Sequence, residues 1–143
     1  MADAQLATIR RNDQQTHIGV VRLHGRFRFN GSSAPTSLIG NWLSSVAHTA
    51  TGIWTVTLHN RFAKWRGVVA AHATLEVDAN ADLSFVQLGA LTASAGTVIV
   101  RAFTEGAGTL AAADIAAGSN NGNWCHLTLA LKYSSTGDGS GIT

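Results

Sequence analysis

An all-β protein, an antiparallel sandwich or barrel, is expected from three observations. Six stretches alternate apolar and polar residues with a period of two, most of the links between them carry Gly, Asn, Ser or Asp, and only one stretch competes with a helical period. In residues 18–29, IGVVRLHGRFRF, the residues Arg22, His24, Arg26 and Arg28 share one face and Leu23, Phe27 and Phe29 the other. Gly25 falls on the apolar face, which predicts a bulge or a close backbone approach. Residues 37–48, SLIGNWLSSVAH, place Leu38, Trp42, Leu43 and Val46 at helical spacing, weakened by Gly40 and the serines, so a short helix or an irregular crossover is expected. In residues 52–59, GIWTVTLH, Trp54, Val56 and Leu58 alternate with Ile53, Thr55 and Thr57, and Trp54 is expected to fill the core. Further strands are expected over 67–79, 82–93, 96–106 and 124–134. The link 105–123, rich in Gly, Ala and Asn, leaves open one helical turn, an extra short strand or a close backbone approach.

A chain of 143 residues suits one domain, which at that size buries roughly two thirds of the surface its unfolded chain exposes. Residues 1–16, polar and without a period, read as an N-terminal arm, 17–135 as the β-domain, and 136–143 as a flexible C-terminal tail. The single cysteine, Cys125, excludes an intrachain disulfide and reads as a small buried thiol. The first twenty residues lack a signal-peptide core and no run of about 20 apolar residues occurs, so a soluble protein made in the cytoplasm, with no membrane partner, is expected.

Charge is sparse and lopsided. Charged residues make up 13% of the chain, against about 25% in a typical domain, and such a surface suits association with neighbours. In the first thirty residues five arginines (Arg10, Arg11, Arg22, Arg26, Arg28) meet two aspartates (Asp3, Asp13), a net of +3, which leaves −1 for the rest of a chain of net +2. The density of Lys and Arg is too low for non-specific phosphate binding, so no nucleic-acid partner is expected and an acidic protein surface is.

Catalytic signals are missing. No GxSxG turn, and no Gly-rich phosphate loop with its lysine, occurs, so no enzyme and no cofactor are expected. Glu76, Asp78 and Asp82 straddle one strand end, where a solvated end explains them better than calcium ligands. The six histidines show no ligand spacing, and His72 and His126 read as hydrogen-bonded residues within strands.

The link HNRFAKWRG, residues 59–67, carries more aromatic and cationic residues than a turn needs. Trp65 between Lys64 and Arg66 has the composition of a contact anchor, with a loop folded back over the end of the sandwich as the alternative. The expected arrangement places Phe62 inward and Trp65 outward.

The succession GIWTVTLHNRFAKW, GVVAAHATLEV, GTVIVRAF, a small-residue link containing AAAD, and CHLTLALKYSS, over roughly residues 50–135, resembles small β-rich virion proteins of tailed bacteriophages. That resemblance implies a jelly-roll-like sandwich and a structural role: a capsid decoration or cement protein, or the receptor- or glycan-binding head of a tail fibre. The polar start, the arginine face and the low charge favour cement, because cement holds coat subunits through arms and many shallow contacts. An arm of sixteen residues reaches up to about 50 Å, and a fibre head is expected to follow a stalk. The implied partners are the major capsid protein and further copies of the chain, as a homotrimer, on the capsid surface. Arg10, Arg11, Arg22, Arg26, Arg28, Lys64, Trp65 and Arg66 are the candidate partner-binding residues.

Overall fold

The computed structural model describes residues 19–78 and 84–133. The proposed arm, the tail, Arg10, Arg11, His17 and Asp82 lie outside the described residues. Nine strands are assigned among the described residues: β1 Val20–Arg28, β2 Leu38–Ile39, β3 Leu43–Ala50, β4 Ile53–Leu58, β5 Gly67–Glu76, β6 Ser84–Thr92, β7 Thr97–Gly106, β8 Thr109–Ala112 and β9 Trp124–Lys132. They form two antiparallel sheets, ordered β2-β1-β9-β5 and β3-β4-β7-β6, with β8 alongside β7. Packed against each other, the sheets make the expected β-sandwich.

The core follows from the alternation. One face of each central strand turns inward: Leu23 and Phe27 of β1, Cys125, Leu127, Leu129 and Leu131 of β9, Trp54, Val56 and Leu58 of β4, and Val98, Val100 and Ala102 of β7. Phe29 sits edge-on between Phe27 and Trp54, at centroid distances of 5.1 and 4.8 Å. Gly25 makes a close approach without a bulge, since β1 and β9 pair without a break from Val20↔Lys132 to Arg28↔Trp124. A Cβ at Gly25 would meet the Ile39 carbonyl oxygen at 2.9 Å and the Trp42 ring at 3.0 Å. The missing side chain lets Trp42 lie over β1 and donate its indole N–H to the His24 carbonyl at 2.8 Å.

Residues 37–48 form neither a helix nor an irregular crossover: they hold β2 and most of β3. The register of β3 on β4 slips between Leu43↔Leu58 and Ser45↔Thr57, so Ser44 is an extra residue. That bulge resets the alternation once. Leu43 and Val46, three apart, are therefore both buried in a strand, and the spacing imitates a helical face. The link 105–123 takes the short-strand alternative as β8, then returns past β7 with Ile115 buried.

The outward placement of Trp65 is corrected. Trp65 is 7% exposed and belongs to the core, with Phe62 packed partly buried against it. The link opens with a single 3-10 turn, Asn60–Phe62, and Lys64 then takes a left-handed φ of 59°. This reversal of the chain is held by the Lys64 N–H on the Ala93 carbonyl and the Arg66 N–H on the Lys132 carbonyl. The buried Tyr133 donates its hydroxyl to the Phe62 carbonyl at 2.7 Å. These ties to two segments, at Ala93 and at Lys132–Tyr133, make the link a plug over the end of the sandwich, with the indole turned in.

Candidate functional site

The outer face of the β2-β1-β9-β5 sheet gathers the polar halves of three alternating strands. Register sets up four rows across β1, β9 and β5: Arg22, Ala130 and Ala70; His24, Thr128 and His72; Arg26, His126 and Thr74; and Arg28, Trp124 and Glu76. Lys132 extends the same face next to Val20. Four fixed cations, Arg22, Arg26, Arg28 and Lys132, thus meet one carboxylate, Glu76, for a net of +3.

The three arginines have different fates. Arg28 is half-buried and belongs to the fold: its Nε donates to the Ala117 carbonyl at 2.9 Å and its Nη2 to the Gly118 carbonyl at 2.8 Å. Gly122, at φ 84°, presses against that guanidinium with no room for a Cβ. Arg26 lies over the Trp124 ring, its Cζ 4.5 Å from the centroid, a cation–π contact that holds the side chain on the sheet. Trp124 is fixed in turn by its indole N–H on the Asn121 carbonyl. Arg22 is exposed. Among the described residues the ion pairs are His48–Asp114 and His126–Glu76, and neither engages Arg22 or Arg26.

Between β1, β9 and the end of β2 this face dips into a shallow depression of about 320 Å³, walled by His24, Arg26, Ile39, His126 and Thr128. His24 Nδ1 stands 3.3 Å from Thr128 Oγ1, and His126 Nε2 2.5 Å from Glu76 Oε2. Ile39 is 49% exposed and gives the rim an apolar edge. The depression offers several hydrogen-bonding side chains and one fixed cation, Arg26, and what it can do chemically is bind a small anion.

Exposed Lys64 and Arg66 flank the buried Trp65 at one end of the sandwich, where the Arg66 N–H meets the Lys132 carbonyl. Of the predicted partner-binding residues, then, Arg22 and Arg26 come together on the sheet face, Lys64 and Arg66 sit at its end, and Arg28 and Trp65 serve the interior. His24, His126, Thr128, Trp124 and Lys132 were not singled out as partner-binding residues. Alternation in CHLTLALK already put His126, Thr128 and Lys132 on one side of a strand, but their proximity to Arg22 and Arg26 depends on the pairing of strands about a hundred residues apart.

Two other polar clusters hold loops. Asp78 Oδ2 accepts the N–H of Asn120, and the N–H and hydroxyl of Ser119. The Asn120 N–H leads the contacts that keep this carboxyl below its usual range against a partial opposing effect of burial. Glu76 turns to His126 instead, so the acidic strand end divides between two partners. Asp114 Oδ1 accepts from the Gly52 N–H at 2.7 Å and meets His48 Nε2 at 2.8 Å. Burial pushes the Asp114 carboxyl up, but the Gly52 N–H and His48 outweigh it and the net shift is downward. This pair ties β3 to the segment after β8. Among the described residues no group of three or more His, Cys, Asp or Glu could hold a metal ion, and no helix is long and apolar enough to cross a membrane.

Comparison with protein-family models, curated proteins and solved structures finds no match.

Proposed function

We propose that the protein is a structural binding module, a capsid decoration or cement protein that docks the outer face of its β2-β1-β9-β5 sheet on an acidic coat-protein surface. The observation that carries this reading is the excess positive charge of that face, where Arg22, Arg26 and Lys132 stand without an ion-pair partner among the described residues. A broad, shallow basic face suits a protein surface that it meets many times over a shell, because repetition makes weak contacts collectively tight. Exposed Val68 and Val69 on the edge strand β5 support self-association, and a trimer is part of the proposal.

The test is co-sedimentation with empty phage coat-protein shells that carry no copy of this chain. Wild-type protein should attach at low salt, detach progressively as salt rises, and sediment as a trimer when free. Arg22→Ser with Arg26→Ser should lower occupancy and flatten the salt dependence, with Arg28 left in place because the fold uses it. Occupancy unchanged by the double substitution, or no attachment of the wild type, would overturn the reading.

A further inference from the structure

We infer that the depression between β1, β9 and β2 is a carboxylate-binding subsite that takes a glutamate side chain of the protein partner, with Arg26 as its principal donor. The inference rests on the reading of this face as a docking surface for an acidic protein, and it says where on the face the recognition is made. A guanidinium laid over an aromatic ring keeps its N–H donors free along its edge, so the Trp124 contact pre-orders Arg26 without using up its hydrogen-bonding capacity. A fork held in this way matches the two oxygens of a carboxylate, and little side-chain entropy is left to lose on binding. His24 is exposed, and with its Nδ1 at Thr128 its Nε2 is left for a ligand.

Size, polarity and charge narrow the ligand. About 320 Å³ lies at the low end for small-molecule pockets and suits a single side chain. The exposed Ile39 offers the aliphatic stem of a glutamate an apolar wall beside the charged end. Glu76, hydrogen-bonded to His126 at the margin, adds a negative charge that opposes a dianionic phosphate more than a monoanionic carboxylate. Within the fold neither Arg26 nor Arg22 is met by a carboxylate among the described residues, so both charges are left to solvent ions or to a partner.

The experiment titrates the full chain with an acetylated, amidated Glu/Ala pentapeptide and with its Gln/Ala counterpart, followed by NMR of the imidazole and indole resonances. The Glu peptide should move the signals of His24, His126 and Trp124, and the Gln peptide should not. Arg26→Gln should weaken binding at least tenfold, and Arg26→Lys, which keeps the charge but loses the fork, at least threefold. Arg101→Gln, an exposed arginine of β7 on the other sheet, should bind as wild type. Equal binding of the Gln peptide, wild-type affinity in Arg26→Lys, or displacement of the Glu peptide by sialyllactose at lower concentration would overturn the inference, the last by assigning the depression to a glycan. Peptide binding without shell attachment would sink the capsid reading and leave the subsite, whereas shell attachment without peptide binding would do the reverse.

Discussion

Replacing Trp65 by alanine should cost the domain its stability and leave the docking face intact. At 7% exposure, the indole removes about 200 Å² from water, which at about 25 cal/mol/Å² amounts to about 5 kcal/mol. Alanine keeps a little of this and the unfolded chain already buries part of it, so about 3 to 4 kcal/mol is expected, inside the range of about 3 to 5 measured for aromatic truncations in cores. For a domain of this length each kcal/mol moves the midpoint by about 4 °C, so thermal unfolding followed by far-UV circular dichroism should shift downward by about 15 °C. Phe62→Ala, at a side chain only partly buried, should give about half of that. The folded fraction of Trp65→Ala should still bind the Glu peptide with wild-type affinity, because the indole lies beneath the end of the sandwich and away from Arg26. A midpoint within 3 °C of wild type, combined with loss of partner binding, would show Trp65 turned outward in solution and refute the burial argument.

Arg28→Ala should destabilise by about 2 kcal/mol or more in urea denaturation, since two charge-assisted hydrogen bonds to the 117–118 carbonyls disappear. A loss under 0.5 kcal/mol would return Arg28 to the pool of docking residues. Stability should also form a plateau in pH with two distinct edges. Asp114 and Asp78 have carboxyl groups lowered from 3.8 in the fold, so their contribution is present above that value and is lost as pH falls through the lower folded values. The Cys125 thiol and the Tyr133 hydroxyl are both pushed up to about 12 by burial. For these neutral acids the unfolded chain ionises first, so stability declines from about pH 9 upward, by up to about 1.4 kcal/mol per pH unit for each group. Midpoints measured from pH 2 to 11 should show both edges, and Cys125→Ala should soften the alkaline one; an alkaline edge unchanged in that variant would exclude the thiol as its source.

The parts of this protein legible in its sequence are those that local geometry dictates. Side chains in a strand must point to alternate faces, so RLHGRFRF, IWTVTL and CHLTLALK each declare a strand and a buried face without reference to the rest of the chain, while Gly25 leaves a bulge and a close approach open until the unbroken pairing with β9 decides for the approach. The same argument fails wherever a contact between distant segments intervenes. One extra residue, Ser44, turns a period of two into a spacing of three and makes β3 look helical, because a bulge is defined by its partner strand and leaves no periodic mark of its own. Trp65 carries the composition of an exposed anchor, yet the left-handed turn at Lys64 and the backbone ties to Ala93 and Lys132 send it inward. Arg22, Arg26 and Arg28 are equivalent in sequence, spaced along one face of one strand. Tertiary structure separates them, since only the fold brings the 117–118 carbonyls to Arg28 and the Trp124 ring to Arg26, while among the described residues no ion pair engages Arg22. Alternation is a property of each strand alone, whereas partnership depends on register between strands far apart in the chain, and it is the partners that decide whether a cation holds the fold together or stays free to meet another molecule.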